Sequence, residues 1–102
     1  MAQIVVTYKT PKDTAAFDKY YAETHTPLAK KMPGLRKFQI SQGPVATPAG
    51  ASDIYLIATL TFDSMAAIGA VFASPEGKAT AGDLPNFASG GVDIVFFDTR
   101  EV

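Results

Sequence analysis

No cysteine occurs among the 102 residues. Disulfides, thiolate nucleophiles and cysteine-based zinc or iron–sulfur sites are therefore excluded. Histidine is nearly absent too: His25 stands alone. One imidazole is too few for the usual zinc ligand sets, though it is enough to hold a haem from one side. No metal and no cofactor is expected. Charged residues make up only 19%, the net charge is −1, and no basic run is present. Lys30-Lys31 reads as a solvated helix face. A nucleic-acid or anionic-membrane surface needs clustered Lys and Arg, so neither partner is expected. No apolar stretch approaches the roughly 18 residues of a membrane span. The opening MAQIVVTYKT lacks the basic region and long apolar run of a signal peptide, and a cytoplasmic protein is the expectation.

What is present is a globular composition, 47% hydrophobic, of a length that fits a single domain spanning residues 1–102. Gln3 to Lys9 alternates, with Ile4, Val6 and Tyr8 on one face, which predicts a half-buried strand. Asp13 is placed to cap a helix whose apolar face carries Phe17, Tyr20, Tyr21, Thr24 and Leu28. Pro27 cannot donate a backbone hydrogen bond and pushes Thr26 out of helical geometry. Two helical pieces are therefore predicted, the second capped by Thr26. Leu35 to Gln42 is a second strand, GPVATPAGAS a loop, and Asp53 to Phe62 a strongly apolar third strand. Asp63 or Ser64 caps the next helix, and Ser74-Pro75 starts another. Asp83 to Ser89 is irregular, and Val92 to Asp98 is the last strand.

That order predicts an α+β fold, the ferredoxin-like βαββαβ arrangement, with one antiparallel sheet and helices on one face. Strand one should lie between strands three and four, with strand two at an edge. The opposite face would carry Val5, Tyr55, Ile57, Val95 and Phe97. One chain of this size lacks the material to cover both faces, and an exposed apolar patch of this kind marks an interface. A homodimer packed sheet to sheet is expected.

Two segments carry a family resemblance. YYAETHTPLAKKMPGL, from Tyr20 to Leu35, has a Tyr-rich helix, a His-x-Pro-Leu step and a Pro-Gly-Leu lead into strand two. FASPEGKATAGDLPNFASGGV, from Phe72 to Val92, has a Ser-Pro-Glu-Gly turn and an Asp-Leu-x-x-Phe near its end. Together they resemble the EthD family of the dimeric α+β barrel superfamily, over nearly the whole chain. The resemblance implies that fold and a homodimer. The family is named for a role in degrading a fuel ether beside a cytochrome mono-oxygenase. Its wider relatives include decarboxylases, cyclases, lactone isomerases and cofactor-free mono-oxygenases acting on aromatic or polyketide-like molecules.

His25 is the candidate catalytic residue, because an imidazole moves protons in either direction near neutral pH. It lies roughly 40° around the helix from Tyr21. A carbonyl freed at the helix break would fix its tautomer. Tyr8, Tyr21, Phe38 and Phe87 are candidates for an aromatic wall against a flat substrate, and Ser41 and Gln39 for polar contacts with it. Each has a plainer reading: a histidine satisfying a buried carbonyl, aromatics in a core, polar residues on an edge strand. Asp83 fits a helix-end role as well as an acid–base one. Two functions follow. One is a cofactor-independent enzyme, of mono-oxygenase, isomerase, cyclase or decarboxylase type, acting by proton transfer on an aromatic or ketonic small molecule. The other is a non-catalytic binding or accessory protein of an ether or aromatic oxidation pathway.

Overall fold

Alternation decides the first strand. In a computed structural model covering residues 1–102, β1 (Ala2–Lys9) buries Ala2, Ile4, Val6 and Tyr8 on one face. It is followed by α1 (Thr14–Tyr20), a π-helical turn (Tyr21–His25), α2 (Thr26–Lys30), β2 (Lys37–Ile40) and the short strands β3 (Ala46–Thr47) and β4 (Gly50–Ala51). Then come β5 (Ile54–Phe62), α3 (Met65–Ala73), α4 (Pro75–Gly82), a 3₁₀ turn (Leu84–Asn86) and β6 (Val92–Asp98). The main sheet has the order β2-β5-β1-β6, antiparallel throughout. This is the ferredoxin-like βαββαβ arrangement, with β1 between β5 and β6 and β2 at an edge.

The helix caps form where short polar side chains precede the helices. Asp13 accepts from the Ala16 amide at 3.0 Å, Ser64 from Ala67 at 3.1 Å and Ser74 from Gly77 at 3.0 Å. Asp63 is not a cap; it forms a bidentate pair with Arg36. The helices lie over the face carrying Ile4, Val6, Leu60 and Phe62. Phe62 and Ile68 are fully buried there, each contributing about 1.5–3 kcal/mol by leaving water.

Pro27 does not break the helix. His25 and Thr26 both have α-helical backbone angles, and Thr26 donates its amide to the Tyr21 carbonyl, five residues back. In a regular helix the Pro27 ring would press on the carbonyl four residues before it. Widening the turn relieves that clash, so α1 and α2 run on without a cap at Thr26.

Three other expectations change. The Gly43 to Ser52 loop carries a small hairpin, with Ala46 paired to Ala51 and Thr47 to Gly50. The second strand is shorter than its pattern suggested. Tyr55 leaves the outer face: the β1–β5 register slips at Tyr8/Lys9, so Leu56 pairs with Tyr8 and Ile54 with Lys9. Its ring meets Phe17 at 5.4 Å and its hydroxyl donates to Asp18. The outer face retains Val5, Ile57, Val95 and Phe97. In addition, β6 is bare on both sides: Ile94 and Phe96, which point toward the helices, stay 39% and 46% exposed, and Val95 and Phe97 are 57% and 41% exposed. The helical layer stops at Phe72, whose ring meets Phe96 at 5.3 Å.

Candidate active site

The π-helical turn brings Tyr21 and His25 together onto the sheet, their ring centroids 5.4 Å apart. His25 is 4% exposed. It lines a cavity between the sheet and the helical layer, closed by Ile4, Val6 and Tyr8 of β1, Phe38 of β2, Ala58 and Leu60 of β5, and Gly77, Thr80 and Ala81 of α4. The cavity volume is about 50 Å³.

The partner that fixes the ring is a carboxylate, not a freed carbonyl. Asp83, at the end of α4, lies with Oδ2 3.0 Å from His25 Nδ1. Its other oxygen accepts from the Tyr20 hydroxyl at 2.6 Å and from Asn86 Nδ2 at 3.0 Å. Burial pushes the Asp83 carboxyl up, but hydrogen bonds from Tyr20, Asn86 and His25 outweigh it and hold it below the usual carboxylate range. Burial pushes the His25 imidazole down, and this prevails over the opposing hydrogen bond and charge of Asp83. The pair is thus a neutral imidazole beside a carboxylate. Nδ1 carries the proton and donates it to Asp83, which leaves Nε2 with its lone pair free. Nε2 has no bond within the chain, yet no buried polar atom of the protein lacks a partner. It is therefore open to the cavity.

Tyr8 and Tyr21 complete the polar lining. Their rings meet edge to face at 5.7 Å, and the Tyr8 phenol donates to the Tyr21 oxygen. Burial pushes Tyr21 up to about 12, and pushes Tyr8 higher still, with the Tyr21 phenol adding to the effect. Both remain protonated donors at any ordinary pH.

Of the residues named from sequence, Tyr8, Tyr21, His25 and Phe38 share this cavity. Phe87 stands behind it, with its ring 4.6 Å from that of His25, inside a cluster with Tyr8 and Phe17. Its role is to back the imidazole. Ser41 lies elsewhere, in a shallow groove with Pro44, Ser52 and Tyr55, where its hydroxyl accepts from the Ile57 amide at 2.9 Å. Gln39 is on the sheet face away from the helices, paired with Thr59. Sequence reasoning missed Tyr20 and Asn86 and gave Asp83 no partner. The signal for Asp83 was its place in the Asp-Leu-x-x-Phe segment, which returns the chain to the first helix.

The family model for the EthD domain matches residues 9–91. An uncharacterized 11.0 kDa protein from the thcB–thcC intergenic region of Rhodococcus erythropolis is 38% identical over 102 residues, covering 100% of this chain and 98% of its own. Among solved structures, an EthD-family protein of Bacillus halodurans superposes with a TM-score of 0.89 at 31% identity, covering 98% of this chain and 99% of its own. SnoaB, a cofactor-independent oxygenase of Streptomyces nogalater, shares the fold with a TM-score of 0.68 at 17% identity, over 99% of this chain and 94% of its own.

Proposed function

The chain belongs to the EthD family, and from that premise we propose that it is a cofactor-independent enzyme working by proton transfer at carbon next to a carbonyl. One observation carries this reading: His25 is tied to a buried carboxylate through Nδ1 while Nε2 opens into an apolar cavity. That arrangement makes a general base. Nε2 takes the proton, and Asp83 stabilises the imidazolium that forms and keeps the ring from turning. The carbanion's fate then depends on the substrate: reprotonation at another carbon gives isomerisation, and reaction with oxygen gives oxygenation. The shared fold with a cofactor-independent oxygenase supports this range of chemistry.

The test is deuterium uptake from D₂O into a panel of ketones, followed by mass spectrometry. The control is His25→Asn, which keeps a donor near the Nδ1 position and removes the base. Uptake in the native protein and none in the variant is the expected result. Equal uptake in both, or none across the panel, would overturn the catalytic reading. Ligand binding without uptake would assign the accessory role instead.

The working unit is proposed to be a homodimer that completes a barrel from two sheets. Its support is the bare β6 together with Val5 and Ile57 on the outer face. The interface should exceed ~1,000 Å².

A further inference from the structure

We propose, resting on the proton-transfer reading, that the substrate is an uncharged carbonyl compound whose oxygen is held by the Tyr21 phenol, with Tyr8 bonded behind it. Charge is the first ground. No Lys, Arg, Asp or Glu lines the cavity. A carboxylate substrate would lose its water there, meet no cation, and lie near the negative charge of Asp83 behind His25. Thr80 offers it nothing, since its hydroxyl already donates to the Glu76 carbonyl.

Hydrogen-bond sense is the second. A carbonyl oxygen needs donors, and burial keeps both phenols protonated. Tyr8 donates its proton to the Tyr21 oxygen, which leaves the Tyr21 proton free, and a ligand oxygen is the acceptor that fits it. Their place is the third. Tyr21 neighbours both Tyr8 and His25, at 5.7 Å and 5.4 Å between ring centroids. An oxygen on the Tyr21 phenol therefore shares the cavity with the His25 ring.

The step balances without any other reactant. A proton passes from the carbon next to the carbonyl to Nε2. The C–H pair becomes the carbon–carbon double bond, and the carbonyl π pair moves onto oxygen, where the Tyr21 phenol, itself accepting from Tyr8, meets the growing charge. The imidazolium exchanges its proton with solvent and then protonates carbon. Donors aimed at an oxygen that gains charge act more strongly in the transition state than in the ground state.

The probes are butanone and propionate, similar in size and different in charge. Saturation-transfer NMR on the native protein should show butanone binding and propionate failing to compete. Deuterium uptake at the butanone methylene should slow by about 10²–10³ when a phenol holding the oxygen is lost in Tyr21→Phe. Tyr8→Phe should weaken it further, while His25→Asn should abolish uptake and leave butanone bound. Propionate binding as well as butanone, or no butanone binding, would overturn the inference without needing any variant to fold. His25-dependent uptake that persists undiminished in the two phenylalanine variants would overturn it and leave the proton-transfer reading standing. Tyrosine-dependent butanone binding with no uptake would overturn proton transfer and leave the carbonyl-holding role intact.

Discussion

At the scale of single residues, the pairing of His25 with Asp83 sets the acid sensitivity of the fold. Unfolded, His25 titrates near 6.5; folded, burial holds it lower. Between those two values the unfolded chain binds a proton that the folded chain refuses. Stability must therefore fall as pH drops from about 6.5 toward the folded value, and this contribution is flat above 6.5. Asp83 adds a second loss in stronger acid, since its folded carboxyl lies below the ordinary value. The melting temperature of the native protein should decline on acidification below 6.5, and that of His25→Asn should decline less in the same window. A steeper decline in the variant would contradict the assignment. Asp83→Asn removes the charged acceptor shared by Tyr20, Asn86 and His25. It should cost about 1–3 kcal/mol, measured by urea unfolding, and release the ring from its tautomer. Stability alone does not reveal what His25 is for. The ring is buried against Asp83, so His25→Ala costs stability in either role.

At the scale of elements, the caps at Asp13 and Ser74 were legible, whereas the cap expected at Thr26 does not form. Ser74 followed by Pro75 announced α4, because a hydroxyl acceptor and a ring that needs no N–H suit a first turn. Ser74→Ala should cost about 1 kcal/mol, or roughly 4–8 °C in melting temperature. The Pro27 turn misled, because the i-to-i+5 bonding that absorbs the proline has no local sequence pattern; it forms because Tyr21, His25 and Ala29 all pack on the sheet side. Gly77 shows why small residues recur in α4. A side-chain carbon there would overlap the Val71 carbonyl, which closes the approach of α4 to α3. Gly77→Ala should lower stability by ~1–3 kcal/mol in thermal or chemical denaturation. It should also widen the cavity wall, visible as altered butanone affinity.

At the scale of the whole molecule, the sheet order was readable because the order of elements, strand, helix, strand, strand, helix, strand, matches one familiar arrangement. The partner of His25 was not, because 58 residues separate it from Asp83 and only the packing of α4 across the sheet joins them. The bare sides of β6 were half legible: Val95 and Phe97 showed in the alternation, whereas Ile94 and Phe96 depended on how far the helices reach. Phe97→Asp should leave monomeric or insoluble protein in sedimentation, because a buried carboxylate at a sheet-to-sheet contact has no counter-ion. An undiminished dimer would place the contact elsewhere.

The position of β1 bears on how the chain is made. Its neighbours in the sheet are residues 54–62 on one side and 92–98 on the other, and the Thr99 amide donates to the Met1 carbonyl. β1 is thus made before both of its partners, yet is a central strand that waits for them. Until residue 62 has left the ribosome, β1 has no neighbour, and until residue 98 has, it remains an open edge. Loop closure over such distances slows folding and lengthens the time an apolar strand is bare to other nascent chains. A ribosome-stalled chain ending near residue 90 should therefore remain protease-sensitive, and one extended well past residue 99 should become resistant.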